Sequence, residues 1–285
     1  SVIPVIFLII SAVLNIGLDL LFILTFHMGV FGAAFATVLS QAISGVLCLI
    51  YIMKKITLLH ITRDDLQLSR QYVKNLIIMG FPMGFQYSIT AIGSVILQTA
   101  VNSLGSTAVA SMTAASKISM FVVCPFDALG STMATYSGQN VGAGEFDRVK
   151  KGLVSASLLG SIYAVAIFVV LFFSCNYLIY MFVSPDETEV IRQAHQFLLY
   201  NAAFYVPLVF VNTVRFAIQG MGFSGFAMFA GVAEMIARSL VGLALVPVFG
   251  FSPACFASPL AWIFADSFLS PAFIHCLNKL KRTIS

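Results

Sequence analysis

Eight apolar stretches, each long enough to cross a lipid bilayer, occupy nearly the whole chain. They cover residues roughly 2–24, 30–53, 75–101, 107–136, 153–173, 196–214, 224–249 and 254–277. A hydrocarbon core of about 30 Å needs about 20 apolar residues, because each helical residue adds about 1.5 Å of rise. Backbone amides in lipid must find their hydrogen-bond partners within their own segment. The sequence therefore predicts an all-α fold, a polytopic bundle of eight transmembrane helices.

The charged residues are few and unevenly placed. They make up 9% of the chain, the hydrophobic fraction is 60% and the mean hydropathy is +0.99. The basic residues cluster in alternate connections, after the second, fourth, sixth and eighth stretches: Lys54, Lys55, Arg63, Arg70, Lys74, Arg148, Lys150, Lys151, Arg215, Lys279, Lys281 and Arg282. These connections share one side of the membrane if the spans alternate, so the positive-inside rule places that side and the C-terminus in the cytoplasm. We expect a multi-pass protein of the cell membrane that binds no nucleic acid.

Residues that carry enzyme chemistry are scattered. The five cysteines have no Cys-x-x-Cys spacing, and the four histidines lie far apart in the sequence. The chain shows no His-Glu-x-x-His, Gly-x-Ser-x-Gly or phosphate-binding loop motif. We therefore expect no enzyme activity, no metal site and no cofactor.

The chain contains an internal repeat. Residues 29–41 (GVFGAAFATVLSQ) align with residues 250–262 (GFSPACFASPLAW) at an offset of 221. Small residues recur at every fourth position in both, namely Gly32, Ala36 and Ser40 and, in the second copy, Pro253, Ala257 and Ala261. Such a face lets another helix approach closely, although two alanine-rich helices can also match by chance. If the repeat is real, we expect a fragment of a twelve-helix protein that lacks its first four helices, with two parallel repeats.

Several motifs resemble one family. They are NIGLDLLFI followed by GVFGAAFATVLSQ, GFPMGFQ in the third span, SGQNVGAGEFDRVKKG after the fourth, RFAIQGMG after the sixth and EMIAR in the seventh. With these motifs the whole chain resembles the multidrug and toxic compound extrusion (MATE) transporters. The resemblance implies two six-helix lobes and export of organic solutes, driven by protons or sodium ions. In part of the family the first helix, which we expect this chain to lack, carries an acidic residue central to coupling. The chain also departs from those members that place a coupling Glu in the third span, because its third span has no carboxylate.

The resemblance and the repeat together predict four parts. Residues 1–54 hold the last two helices of an N-terminal lobe, 55–72 a cytoplasmic linker, 73–278 a C-terminal six-helix lobe and 279–285 a cytoplasmic tail. In the linker, apolar residues alternate with charged ones, as in a helix that lies at the membrane interface: Leu58, Leu59, Ile61, Leu66 and Leu68. A solvated loop is the alternative.

Charged residues inside the spans are the first candidates for function, because each costs at least about 2.5–3.5 kcal/mol to insert. The six are Asp19, Lys117, Asp127, Glu234, Arg238 and Asp266. Glu234 and Arg238, four residues apart, predict an ion pair that is either purely structural or opens when a cation binds. Lys117 has no acidic residue three or four positions away, so it either lines a cavity or forms a bridge to another helix.

The remaining candidates have two interpretations each. Pro125 predicts a kink that frees carbonyl groups beside Asp127, which forms a cation site or is satisfied by neighbouring amides. Asp19, four residues after Asn15, and Asp266 in the last span are cavity candidates. The run Gly80, Pro82 and Gly84 predicts either a hinge or a static packing kink, with close helix packing at the two glycines, and Gln86 binds solute or repairs freed backbone groups.

The interpretation that accounts for most of these features is a secondary active transporter. It would export organic or cationic solutes by proton- or sodium-coupled antiport with alternating access, as a monomer in the lipid bilayer. The first alternative is a lipid-linked oligosaccharide flippase, which needs more cationic cavity residues than Lys117 and Arg238. The second is a membrane scaffold or receptor without transport, in which every buried charge would be paired.

Overall fold

The computed structural model describes residues 2–55 and 69–284, and throughout these ranges the regular structure is helical. The all-α prediction is therefore confirmed. The helices are α1 (Val2–Leu20), α2 (Gly29–Lys55), α3 (Arg70–Asn102), α4 (Ser106–Gly142), α5 (Phe146–Ile179), α6 (Thr188–Ala203), α7 (Tyr205–Gly220), α8 (Ser224–Leu240), α9 (Val246–Phe249) and α10 (Phe251–Ile284).

Within residues 2–55 and 69–284, seven helical segments are long and apolar enough to cross a membrane, as expected of a multi-pass membrane protein. The predicted sixth span, residues 196–214, is not one straight helix. It is divided between α6 and α7, which meet at Phe204 with a bend of 54° and count as an eighth span if taken together. Pro207, near the start of α7, has no amide hydrogen to donate to the carbonyl of Ala203. The helix therefore cannot continue regularly through this point.

The chain forms two compact units, Ser1–Arg70 and Gln71–Ser285. In the first unit α1 packs against α2. The predicted small-residue face is buried there: Gly32, Ala36 and Ser40 lie on it, together with Ser44. Ser44 Oγ donates a hydrogen bond to the carbonyl of Phe7 at 2.8 Å. The interfacial helix predicted over Leu58–Leu68 lies outside the described residues, and α3 already begins at Arg70.

The second unit is organised around α4 and α10. Helix α4 contacts α5, α6 and α7, and α10 contacts α6, α7 and α8. The ring of Phe126, from α4, packs edge-on against that of Tyr205 on α7, with the centroids 5.5 Å apart. Helix α3 lies directly against α8, because a Cβ added to Gly93 would be only 2.9 Å from Met235 Cα. These contacts define the core in which the candidate site is found.

A close crossing of α4 and α7 joins two of the motifs that resemble MATE transporters. Gly138 belongs to SGQNVGAG and Gly220 to RFAIQGMG. A Cβ added to Gly138 would lie 3.2 Å from the carbonyl oxygen of Gly220, and one added to Gly220 would lie 2.9 Å from Ala134 Cα. The missing side chains thus allow the two backbones to touch.

In the described residues, each unit contains one five-residue π-helical turn. Leu21–Thr25 follows α1 directly, and Val241–Leu245 follows α8. A π turn accommodates one extra residue and occurs frequently at functional sites. The two turns lie 220 residues apart, within one residue of the offset of the sequence repeat.

The glycines of the predicted hinge do not mediate helix packing. Pro82 lies inside the continuous helix α3. Within the described part of the chain, no neighbouring atom approaches within 4 Å of a Cβ added to Gly80 or Gly84. The expected close packing at these glycines is therefore wrong for this conformation, because open space adjoins both. The hinge itself stays a prediction.

Candidate functional site

Three charged side chains meet inside the second unit. Glu234 on α8 is only 3% exposed, and it lies between Arg215 of α7 and Arg238 of α8. Arg215 Nη2 donates a hydrogen bond to Glu234 Oε1, and Arg238 Nη1 lies 3.3 Å from Glu234 Oε2. The ion pair predicted between Glu234 and Arg238 is present. We call these three residues the buried ion triad.

Arg215 corrects a prediction from the sequence. It was expected in the cytoplasmic connection after the sixth span, but it lies inside α7, which continues to Gly220, and it is 6% exposed. The buried position is tolerated because Glu234, on the next helix, supplies the opposite charge. The signal in the sequence was an arginine directly after an apolar run, with an acidic residue, Glu234, in the following span.

Asp266 brings a fourth charge to the triad from α10. It lies within electrostatic range of Arg215 and Glu234. Its Oδ1 is buried and has no hydrogen-bond partner. The triad carries one net positive charge, and an ionised Asp266 would balance it. The structure thus brings Asp266 near Glu234, which the sequence paired with Arg238 but indicated separately from Asp266.

A pair of amides connects α3 to this region. Gln219 Nε2, one helical turn beyond Arg215, donates to Gln86 Oε1 at 2.6 Å. Gly231 permits the approach, because a Cβ added there would lie 3.1 Å from Gln86 Cγ. The side-chain oxygen of Gln86 therefore binds another side chain. Gln219 had no signal in the sequence beyond its place in RFAIQGMG.

Asp127 has an amide partner. Asn212 Nδ2 on α7 donates to Asp127 Oδ1 at 3.1 Å. Near Pro125, the carbonyl of Val122, three residues earlier, accepts a hydrogen bond from the hydroxyl of Tyr163 at 3.0 Å. These contacts agree with the interpretation in which neighbouring groups satisfy the kink and its carboxylate.

Lys117 lines an open cavity. The cavity has a volume of about 620 Å³, and Thr107, Thr113 and Glu187 are also in its wall. The Lys117 side chain is exposed and forms no ion pair with any residue in 2–55 or 69–284. The alternative in which Lys117 bridges two helices is therefore wrong for this conformation.

The first unit has its own polar group. Asn15 Nδ2 on α1 donates to Thr37 Oγ1 on α2 at 3.4 Å. Asp19, one turn after Asn15, has a buried Oδ1 without a hydrogen-bond partner. The π turn Leu21–Thr25 begins two residues later. Three oxygen-bearing side chains thus lie together beside an irregular turn.

These features define a class of protein. Ionisable groups buried between membrane-spanning helices are typical of membrane proteins that move ions or solutes. The MatE family model matches residues 82–243, more than half of the chain. The chain therefore belongs to the MatE family.

Relatives and solved structures agree with this assignment. "Probable multidrug resistance protein YpnP" of Bacillus subtilis (strain 168) is 31% identical over 212 residues, which cover 74% of this chain and 46% of that protein. "Probable multidrug resistance protein YoeA" of the same strain is 25% identical over 206 residues, 70% of this chain and 44% of that protein. The chain thus spans less than half the length of these two relatives.

The fold matches that of solved MATE structures. The crystal structure of MATE in complex with MaL6 superposes with a TM-score of 0.89 at 20% identity, covering 97% of this chain and 63% of that one. The outward-facing conformation of a multidrug resistance MATE family transporter of the MOP superfamily gives a TM-score of 0.88 at 19% identity, covering 97% and 62%.

Proposed function

We propose that this protein is a secondary active transporter that exports organic solutes, including organic cations. Transport is coupled to the inward flow of protons or sodium ions and proceeds by alternating access, with the protein acting as a monomer in the cell membrane. The basic connections and the C-terminus face the cytoplasm. The observation that carries this proposal is the buried ion triad, in which one carboxylate, Glu234, serves arginines of two different helices.

The triad suggests how a cation would act on the helices. A proton or cation that neutralises Glu234 removes the shared partner of Arg215 and Arg238. The two like charges on α7 and α8 then repel each other in a medium of low dielectric constant. Asp266, which lies on α10, can balance one of these two positive charges. Occupancy of the carboxylates thus biases the packing of three helices, which is what coupling requires.

The two alternatives fit less well. A scaffold would have all its buried charges paired, whereas Asp19 Oδ1 and Asp266 Oδ1 lack hydrogen-bond partners. A flippase for pyrophosphate-linked lipids needs several free cations in its cavity. In the described residues of the second unit, Arg215 and Arg238 share Glu234. In the wall of the open cavity, Lys117 is the one cationic residue among those described.

The test is transport in proteoliposomes. Vesicles containing the purified full-length protein are loaded with ethidium, a fluorescent organic cation, and a proton or sodium gradient is imposed. We expect ethidium efflux that depends on one of the two gradients. Efflux that is equal with and without gradients, or equal to that of protein-free vesicles, would reject coupled export.

Asp19→Asn is expected to reduce gradient-driven efflux to about the level without a gradient, because the amide cannot exchange a proton or bind a cation as strongly. The matched control is Asp186→Asn, which changes an exposed loop carboxylate and should retain wild-type efflux. The measurement is the initial efflux rate against gradient size. Wild-type coupling in Asp19→Asn would exclude this residue from the coupling step.

Lys117→Met is expected to reduce efflux several-fold and leave the protein folded. The side chain is exposed and without an ion-pair partner, so its loss should move the thermal unfolding midpoint by no more than about 2 °C. Lys74→Met, at another exposed lysine, is the control. A large fall in the midpoint, with normal activity per folded molecule, would instead indicate a structural role for Lys117.

A further inference from the structure

The second unit contains a polar cavity whose wall includes one member of the buried ion triad, Arg238. It has a volume of about 320 Å³ and lies among α3, α4, α6, α7, α8 and α10. Its wall includes Ser119, Tyr205, Arg238 and Trp262. Tyr205 is 1% exposed and Arg238 is 8% exposed. The cavity therefore presents polar groups deep inside a membrane-spanning bundle.

Three hydrogen-bond donors in this wall lack a hydrogen bond of good geometry. Arg238 Nη1 makes no hydrogen bond of good geometry, although it lies 3.3 Å from Glu234 Oε2. The hydroxyls of Tyr205 and Ser119 lie near each other, but neither has a hydrogen-bond partner of good geometry. Buried polar groups are almost always paired with protein or an ordered ligand or water. Arg238 thus has only an ion pair with Glu234, and the two hydroxyls have only each other, so an acceptor in the cavity would complete their hydrogen bonding.

The charge of the wall selects the kind of acceptor. Arg238 is the charged residue in the wall, and none of the described lining residues is a carboxylate. The neighbouring acids, Glu234 and Asp266, are not part of the lining. Glu234 is shared with Arg215, so the buried ion triad keeps one positive charge in excess. An arginine with hydroxyl donors and no carboxylate favours an anion over a cation.

We propose that this cavity binds a small monovalent anion, a halide ion or a carboxylate of formate size. Arg238 Nη1 and the hydroxyls of Tyr205 and Ser119 donate to it. A water molecule takes up about 30 Å³, so the cavity has room for such an ion and its remaining water ligands. The site shares Arg238 with the buried ion triad, and anion binding is measured without transport, so the proposal stands whether or not the chain exports solutes.

The chain contains its own probe for this site. Trp262 is its single tryptophan, and it lines the cavity. Iodide quenches tryptophan fluorescence on contact. In the purified chain in detergent micelles, we expect iodide quenching that saturates, and that chloride and formate reverse by competition. If only halides compete, the ligand is inorganic, and if formate also competes, the site accepts carboxylates.

Two variants of the wall test the assignment. Arg238→Gln should raise the iodide concentration at half-saturation by about tenfold, because the charged donor is lost. Tyr205→Phe keeps the ring that packs against Phe126 and removes only the hydroxyl, so it should weaken binding by a smaller factor. Tyr205→Phe carries the test if Arg238→Gln does not fold. Arg192→Gln, at an exposed arginine, should bind as the wild type does.

Neutral acrylamide shows whether quenching reflects an ion site. We expect acrylamide to quench weakly, without saturation and equally in all variants. Iodide quenching that is linear in concentration, unaffected by chloride and formate, and the same in Arg238→Gln and Tyr205→Phe would overturn the proposal. The cavity would then hold water only.

Discussion

Glu234→Gln is expected to abolish cation-driven efflux and to destabilise the protein. The amide leaves Arg215 and Arg238 buried without a negative partner between them. Removal of one member of a buried ion pair costs about 3–5 kcal/mol. The measurements are ethidium efflux from proteoliposomes under each gradient and the thermal unfolding midpoint in detergent.

A double variant separates the two effects. In Glu234→Gln with Arg215→Gln one excess positive charge is removed, so we expect much of the lost stability to return while efflux stays absent. Glu189→Gln is the matched control, because Glu189 pairs with Arg192 at an exposed site, where an ion pair contributes about 1 kcal/mol or less. Efflux at the wild-type rate in Glu234→Gln would contradict the coupling role of the triad.

Gly220→Val is expected to prevent stable folding of the second unit. The added Cβ would lie 2.9 Å from Ala134 Cα and still closer to the Ala134 carbonyl, so α4 and α7 would have to separate. A backbone cannot give way as a flexible side chain can, and we expect a loss of about 3 kcal/mol or more. The measurement is the thermal unfolding midpoint, together with the yield of monodisperse protein.

Gly225→Ala is the control for this substitution. Gly225 lies in α8, and no atom of the described structure is within 4 Å of an added Cβ there. Alanine at this position should raise stability slightly, by about 0.5–1 kcal/mol, because it restricts the unfolded chain. If Gly220→Val unfolded at the same temperature as the wild type, the close crossing of α4 and α7 would be incorrect.

The sequence predicted what depends on local pattern. Hydropathy located the spans, because each must satisfy its own backbone in lipid. The pairing of Glu234 with Arg238 followed from a separation of four residues on one helix. Arg215 and Gln219 could not be assigned to the site, because their partners, Glu234 and Gln86, come from other helices. The packing of the bundle decides which helices meet, and a single sequence does not reveal that packing.

Local irregularities were predicted unevenly. Pro207 was a visible signal for the bend at Phe204, but the long apolar run around it favoured one continuous span. Pro125 indicated freed carbonyl groups, and the structure shows that the nearby carbonyl of Val122 accepts a hydrogen bond from the hydroxyl of Tyr163. The two π turns had no signal, since the segments Leu21–Thr25 and Val241–Leu245 consist mainly of aliphatic residues.

Each π turn contains one residue more than a regular helical turn, and this extra residue can occupy different positions along the helix. If the extra residue moves by one position, the residue that it passes rotates by about 100° about the helix axis, and the two ends of the helix stay in place. Val241–Leu245 begins three residues after Arg238, and Leu21–Thr25 begins two residues after Asp19. A small rotation at either turn would therefore change the direction of a neighbouring side chain while the helix stays intact.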